Sequence, residues 1–231
     1  MLSICILYHD GDRHFLKGLA ATLPAGCEVV LLHTQEGSED TVTAVERKPN
    51  GVHAEYTYTG KLDLSKARNE AKKLASRSFI LSLDPDERLL THQHQDLQNT
   101  LYYAKPDVGA FIMRNFYVIP AIAEQNGYAR HEILVQMKLF RNLPELHWDA
   151  PAHETIDKSL IESGYGVQDT NLFVHHIGYE CTLAEFTAKI ERNNRLIGEN
   201  PGDYHQQVYK AKGEEFIKKY NQLVSEIKEG S

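Results

Sequence analysis

The sequence holds only three cysteines in 231 residues, Cys5, Cys27 and Cys181, far apart and without a Cys-x-x-Cys spacing. That excludes a disulfide scaffold and a cysteine-built zinc site, and the three read as core thiols in a reducing compartment. No stretch approaches the ~20 consecutive apolar residues that a membrane-spanning helix needs. The N-terminal apolar run stops at Leu7, has no basic leader and passes into His9-Asp10-Gly11-Asp12, so neither a signal peptide nor a membrane anchor is expected there. The expectation is a cytoplasmic protein that meets any lipid-linked partner at the inner membrane surface. A surplus of positive charge is missing too: the formal net charge is −7, which argues against a general nucleic-acid-coating role. Internal repeats and low-complexity segments are absent. What is present is 42% hydrophobic residues, enough for one sizeable α/β core.

The hydrophobic pattern alternates between strand and helix signals in the first half. Apolar runs predict strands at Leu2–Tyr8, Glu28–His33 and His53–Tyr58. Between and after them, helices are expected from Asp12 (Phe15, Leu16, Leu19 and Leu23 on one face), from Ser38, and across Arg68. This βαβα order predicts a mixed, mainly parallel sheet flanked by helices. Further on, the pattern predicts a helix around Asp96–Tyr103 and strands near Val108–Met113 and Leu134–Phe140. A long loop from Arg141 to about Gly166 and a strand at Leu172–His176 follow. Two closing helices are expected, one carrying Leu183, Phe186, Ile190 and Ile197, the other Tyr204, Val208, Phe216, Tyr220 and Leu223.

The most telling segment is Ser78-Phe79-Ile80-Leu81-Ser82-Leu83-Asp84-Pro85-Asp86-Glu87, an apolar run that ends in acidic residues. A buried strand that releases carboxylates at its carboxyl end delivers them where open α/β sheets bind ligands. Asp84 and Asp86 are one residue apart, so on an extended segment both side chains point to one side and can share a divalent cation. Pro85 stiffens the backbone between them. Oxygen ligands of this kind suit Mg²⁺ or Mn²⁺, although Asp-Pro is also an ordinary acidic turn. Upstream, Asp63 or Ser65 reads as the N-cap of a helix with Leu64, Ala67, Ala71 and Leu74 as its apolar stripe, beside which lie Arg68 and Asn69.

The order of capped helix with Ala67-Arg68-Asn69, apolar strand and Asp84-Pro85-Asp86-Glu87 resembles the family 2 glycosyltransferases of the GT-A fold, a Rossmann-like nucleotide-diphospho-sugar transferase architecture. Leu2–Tyr8 and Val29–Leu32 are similar to its first two strands, and Gly37-Ser38-Glu39-Asp40-Thr41 to the segment after the second. Lys138-Leu139-Phe140-Arg141-Asn142, Trp148, His153-Glu154 and His176-Ile177-Gly178-Tyr179 resemble a subgroup with Phe-Arg-Asn, His-Glu and His-x-Gly-Tyr motifs. The resemblance implies one GT-A domain over 1–231, with a nucleotide-sugar donor half (1–90), an acceptor half (91–180) and a C-terminal helical extension (181–231).

It further implies a metal-dependent, inverting transfer of a sugar from a nucleoside-diphosphate sugar, UDP by default, to a hydroxyl acceptor of glycan, lipid-linked glycan or lipopolysaccharide type. By that resemblance Asp84 contacts the nucleoside, Asp86 holds Mn²⁺ or Mg²⁺, Arg68 helps hold the nucleotide, and His176 is a second metal ligand or a diphosphate contact. His175 faces the other side of its strand. The acceptor hydroxyl must lose a proton as it attacks, and Glu154 is the candidate base, with Asp149 and His153 as rivals. Glu87 is expected to orient the metal loop or cap the next helix. The chain departs from the family after the second strand, where His33-Thr34-Gln35-Glu36 replaces the usual Asp, and Glu36 is the candidate substitute for contact with the base. Tyr8 either stacks on that base or packs.

Other classes remain in view. A nucleotidyltransferase would place a Gly-rich basic loop after the first strand, whereas Tyr8–Arg13 has one Gly and two Asp. A viral-type enzyme acting on hydroxymethylated DNA bases and a non-catalytic nucleotide-sugar-binding protein are the alternative readings.

Overall fold

The computed structural model describes residues 1–118, 131–150 and 154–177. The expected closing helices of 181–231 lie outside the described residues, as do His153, Gly178 and Tyr179. In chain order the elements are β1 (Leu2–Tyr8), α1 (Arg13–Ala20), β2 (Glu28–Glu36), β3 (Thr41–Lys48), β4 (Gly51–Tyr58), α2 (Leu64–Leu74) and β5 (Phe79–Leu83). They continue with β6 (Glu87–Arg88), α3 (His94–Tyr102), β7 (Val108–Val118), β8 (His131–Arg141), α4 (Asp157–Ser163) and β9 (Gly166–His176).

The strands form one mixed sheet of order β3-β4-β2-β1-β5-β8-β7-β9-β6. β4, β2, β1 and β5 run parallel, and β3 pairs antiparallel with β4 at the edge. Beyond β5, β8 and β7 are antiparallel, β9 lies parallel to β7, and β6 pairs antiparallel with β9. The chain builds outward from β1 to β2 and β4, then returns to the other side of β1 as β5. The order therefore reverses between β1 and β5, and the crevice outside their carboxyl ends is where such sheets bind ligands.

β1 and β5 are buried along their whole length, as continuous apolar runs covered on both faces should be. Alternation divides β1 between two cores. Ile4 and Ile6 pack with Leu19 of α1, Leu97 of α3 and Phe111, while Cys5 and Leu7 face Ala67 and Ala71 of α2. The small alanines let α2 lie close to the sheet, and Asp63 caps it by accepting a hydrogen bond from the Lys66 backbone N–H at 3.1 Å. Burial in that close-packed layer pushes the Cys5 thiol pKa up to about 12.

Two expectations are corrected. The helix expected from Ser38 is the strand β3, because the β-branched run Thr41-Val42-Thr43 meets β4 through a tight Pro49-Asn50 connection that pairs Lys48 with Gly51. The loop expected from Arg141 to Gly166 contains the short helix α4, anchored by the buried Ile156 and Leu160 and closed by Gly164 at φ 71°. Among the described residues no helix is long and apolar enough to cross a membrane.

Candidate functional site

The carboxyl end of β5 is shaped by its own acidic residues. The Glu87 backbone N–H donates to Asp84 O at 3.0 Å, closing a turn, and the Asp84 N–H donates to Glu87 Oε2 at 2.9 Å. Arg88 ties the same turn down: its Nη1 donates to the carbonyls of Pro85 and Glu87, both at 2.7 Å, and its Nη2 to Phe15 O at 3.1 Å. Asp84 and Asp86 are thus held on a turn read from two sides, and Glu87, with no exposed surface, is part of the scaffold.

Arg68 projects from α2 into this turn, and each of its guanidinium nitrogens is engaged. Nη1 donates to Ser82 Oγ at 2.6 Å, Nη2 to Asp84 Oδ1 at 2.7 Å, and Nε to Glu154 Oε1. The guanidinium also sits 5.4 Å from the centre of the Trp148 ring. On the other side of Asp84, Lys138 of β8 reaches Asp84 Oδ2 at 3.2 Å and the Glu87 carboxylate at 2.8 Å. Asn115 of β7 donates to Glu87 Oε1 at 2.6 Å. Burial opposes the charge on Asp84, yet Lys138 and Arg68 outweigh it and hold the carboxyl well below the usual range. Burial opposes the charge of Arg68 and Lys138 as well, yet Glu154 and Asp84 raise Arg68, and Asp84 and Glu87 raise Lys138, above their ordinary values.

β6 and β9 bring Asp86 to His176. Glu87 pairs with His176 across the ladder, and His176 Nε2 lies 2.9 Å from Asp86 Oδ2. Asp86, His176, Glu87, Lys138, Asp84, Arg68 and Glu154 therefore form one connected chain of polar contacts. Among the described residues, four carboxylates of this chain of contacts meet the two cations Arg68 and Lys138.

The remaining candidates among the described residues are Asp149, Tyr8 and Glu36. Asp149 forms a two-way backbone bridge with Thr155, beside Glu154, and its Oδ1 lies 3.6 Å from His147 Nε2. Tyr8 ends β1 buried, stacked on His33 with centroids 4.9 Å apart, its hydroxyl 2.7 Å from His53 Nε2. That is packing inside the sheet, between cross-strand neighbours. Glu36 ends β2 exposed, opposite Tyr58. Sequence reasoning missed Lys138, Ser82 and Asn115 as parts of the cluster. Lys138 had a legible signal, a cation inside the apolar run Met137-Lys138-Leu139-Phe140, whereas Ser82 and Asn115 had none.

Among the described residues no group of three or more His, Cys, Asp or Glu side chains has the geometry to hold a metal ion. The Asp86–His176 pair nevertheless fits a divalent cation of the Mg²⁺ or Mn²⁺ kind, which takes one or two protein ligands and completes its shell with water and phosphate oxygens.

No family model matches the chain. A TPR repeat-containing protein of Synechococcus elongatus is 29% identical over 161 residues, 69% of this chain, and the match spans only 36% of that protein's length. The fold is similar to residues 1–349 of Staphylococcus aureus TarS in complex with UDP-GlcNAc: TM-score 0.52, 11% identity, covering 92% of this chain and 71% of that one. It is also similar to the mannosyltransferase PcManGT of Pyrobaculum calidifontis in complex with GDP-Man and Mn²⁺: TM-score 0.51, 12% identity, covering 85% of this chain and 61% of that one. The architecture is thus GT-A-like, the mixed, mainly parallel α/β fold expected from the sequence.

Proposed function

We propose that the chain is a metal-dependent, inverting glycosyltransferase that moves a sugar from a nucleoside-diphosphate sugar, UDP-linked by default, to a hydroxyl of a glycan or lipopolysaccharide-type acceptor. The observation that carries this reading is the single ionic cluster linking Asp84, Asp86 and His176 at the carboxyl end of β5 to Glu154 through Arg68. It sits at the reversal of strand order on a GT-A-like fold.

In this reading residues 1–90 supply the donor half and 91–180 the acceptor half, with 181–231 as an extension. Asp84 meets the nucleoside and Asp86 with His176 holds Mn²⁺ or Mg²⁺, which when bound stabilises the charge gathering on the leaving diphosphate. Arg68 and Lys138 keep the acidic turn ordered between turnovers. Glu154 accepts the proton of the attacking hydroxyl, with Asp149 and His153 as the neighbouring alternatives. Glu36, exposed at the end of β2, is the candidate contact to the base, whereas Tyr8 packs against His33 and His53.

Thermal unfolding of the wild type and of Asp86→Ala against UDP, GDP, CMP and their sugar conjugates, with and without Mn²⁺, tests the assignment. A ligand at ~100 times its dissociation constant adds about 2.7 kcal/mol, roughly 5–10 °C for a chain of this size. The expected result is a Mn²⁺-dependent shift with one nucleotide, lost in Asp86→Ala. No shift with any nucleotide at saturation would overturn the reading.

A further inference from the structure

Helix α2 does more than carry Arg68. The next residue, Asn69, makes a two-way contact with the backbone of Trp148: its Nδ2 donates to Trp148 O at 2.9 Å, and the Trp148 N–H donates to its Oδ1 at 2.9 Å. A primary amide is the side chain that offers a donor and an acceptor side by side, so Asn69 completes the backbone of a loop as a neighbouring strand would. One turn further along, Lys72 donates to Leu143 O at 2.8 Å. From below, Ser159 of α4 grips the same loop, accepting from the His147 N–H at 3.0 Å and donating to His147 O at 2.8 Å.

The loop so held is the one that delivers Glu154. Immediately after Trp148 comes the bridge in which the Asp149 N–H donates to Thr155 O at 2.9 Å and the Thr155 N–H to Asp149 O at 3.2 Å. Glu154 is therefore fixed relative to Trp148 by backbone pairing, and Trp148 is fixed to α2 by Asn69. Arg68 then meets Glu154 from the same helix turn. The Trp148 ring closes the arrangement, edge-on to Phe140 with centroids 5.5 Å apart and only 7% exposed.

We propose that Asn69 is a positioning residue for the proton-accepting carboxylate: through the Trp148 backbone it docks the Glu154 loop onto the helix whose Arg68 grips the donor-side Asp84. The proposal rests on the reading of Glu154 as the base. It follows that donor turn and base share one rigid support, and that loss of the amide misplaces Glu154 without disturbing Asp84, Asp86 or His176.

Trp148 is the sole tryptophan of the chain, so its emission reports the docking directly. Turnover is read with water as acceptor, on whichever nucleotide sugar binds the wild type. The water oxygen bonds to the anomeric carbon as the bond to the diphosphate breaks; the electron pair leaves with the nucleoside diphosphate, and the water proton goes to Glu154. In Asn69→Ala, Mn²⁺-nucleotide affinity should stay within about twofold of wild type while nucleoside-diphosphate release slows by about 10–100-fold. Trp148 emission should shift to the red and acrylamide quenching rise. Asn69→Asp, which keeps the acceptor for the Trp148 N–H and loses the donor to its carbonyl, should fall between. In a Glu154→Gln background, adding Asn69→Ala should slow release by less than about twofold, because the two act through one step. Unchanged Trp148 emission, exposed Trp148 with wild-type turnover, or fully multiplicative losses in the double variant would each overturn the proposal. Failure of the wild type to bind any nucleotide would overturn the function assigned to Glu154, and is told apart from these because emission and quenching are read without ligand.

Discussion

Lys138 Nζ lies 2.8 Å from the carboxylate of Glu87, a side chain with no exposed surface. Lys138 lies on β8, the strand beside β5, and Glu87 closes the turn that follows β5, and together they fix the acidic turn from behind. A buried carboxylate stripped of its cation is costly, so the pair is a point where site geometry and stability coincide.

Lys138→Met should therefore lower the unfolding free energy at pH 7.5 by about 3–5 kcal/mol. The pH dependence follows from the directions of the shifts. Asp84 ionises in the folded protein below its unfolded value of ~3.9 because Lys138 and Arg68 outweigh burial, so its contribution is present above that value and lost as pH falls through the folded one. Lys138 is raised by Asp84 and Glu87 against the effect of burial, so its contribution is present below ~10.4 and lost as pH rises through the folded value. Both hold at neutral pH. The variant's deficit should shrink at pH 4, where its unpaired carboxyls can take up protons. Urea unfolding of both proteins at the two pH values measures this; an equal deficit at both would assign the loss to packing rather than charge.

His176 faces Asp86 at 2.9 Å and supplies the nitrogen of the candidate cation site. His176→Ala should weaken Mn²⁺ binding in the presence of the preferred nucleoside diphosphate by about 10–100-fold, leaving metal-free nucleotide binding within about threefold. Electron paramagnetic resonance of free Mn²⁺, titrated with protein and nucleotide, reads this without turnover. Equal Mn²⁺ uptake by variant and wild type would remove His176 from the metal assignment.

The first half of the chain was legible where the signal is local. Continuous apolar runs marked β1 and β5, and Asp63 marked the start of α2, because burial on both faces and capping are written in neighbouring residues. What escaped was set at a distance. The sequence after Ser38 reads as a helix although it holds Thr41-Val42-Thr43 and the turn at Pro49-Asn50, since an edge strand depends on a partner that the pattern does not name. α4 is too short for helical periodicity to register. Within the site, the motifs brought Arg68, Asp84 and Glu154 onto one list, but not the guanidinium they share, nor Lys138 behind them. Those contacts depend on β8 lying beside β5, a strand order that composition does not encode.

The β3–β4 hairpin also makes Gly51 a packing residue. A Cβ built there would lie 2.5 Å from Val29 O, against the backbone of β2 where β4 begins its pairing. Gly51→Ala should cost about 2 kcal/mol and lower Tm by roughly 4–8 °C by prising β4 from β2. At Gly166 the nearest atom, Asp107 O, would be 3.5 Å away, so Gly166→Ala should stay within about 0.5 kcal/mol. Thermal unfolding of the two variants side by side gives the comparison, and equal Tm values would show that β2 yields freely at this point.

Arg68 separates two ways in which a cation can serve this site. If its value lay in positive charge for a nucleotide, lysine would keep most of it. The guanidinium instead spends Nη1 on Ser82, Nη2 on Asp84 and Nε on Glu154, with only 11% of the side chain exposed, and a single ammonium cannot reach all three. Arg68→Lys should therefore behave within a few-fold of Arg68→Ala, lowering Mn²⁺-nucleotide affinity by at least about tenfold and Tm by several degrees, because either variant leaves a buried carboxylate without its partner. Calorimetric titration of nucleotide into the two variants decides between the roles. Affinity near wild type in Arg68→Lys would make Arg68 a charge for the ligand, and the shared guanidinium would then have no part in holding the acidic turn and the Glu154 loop together.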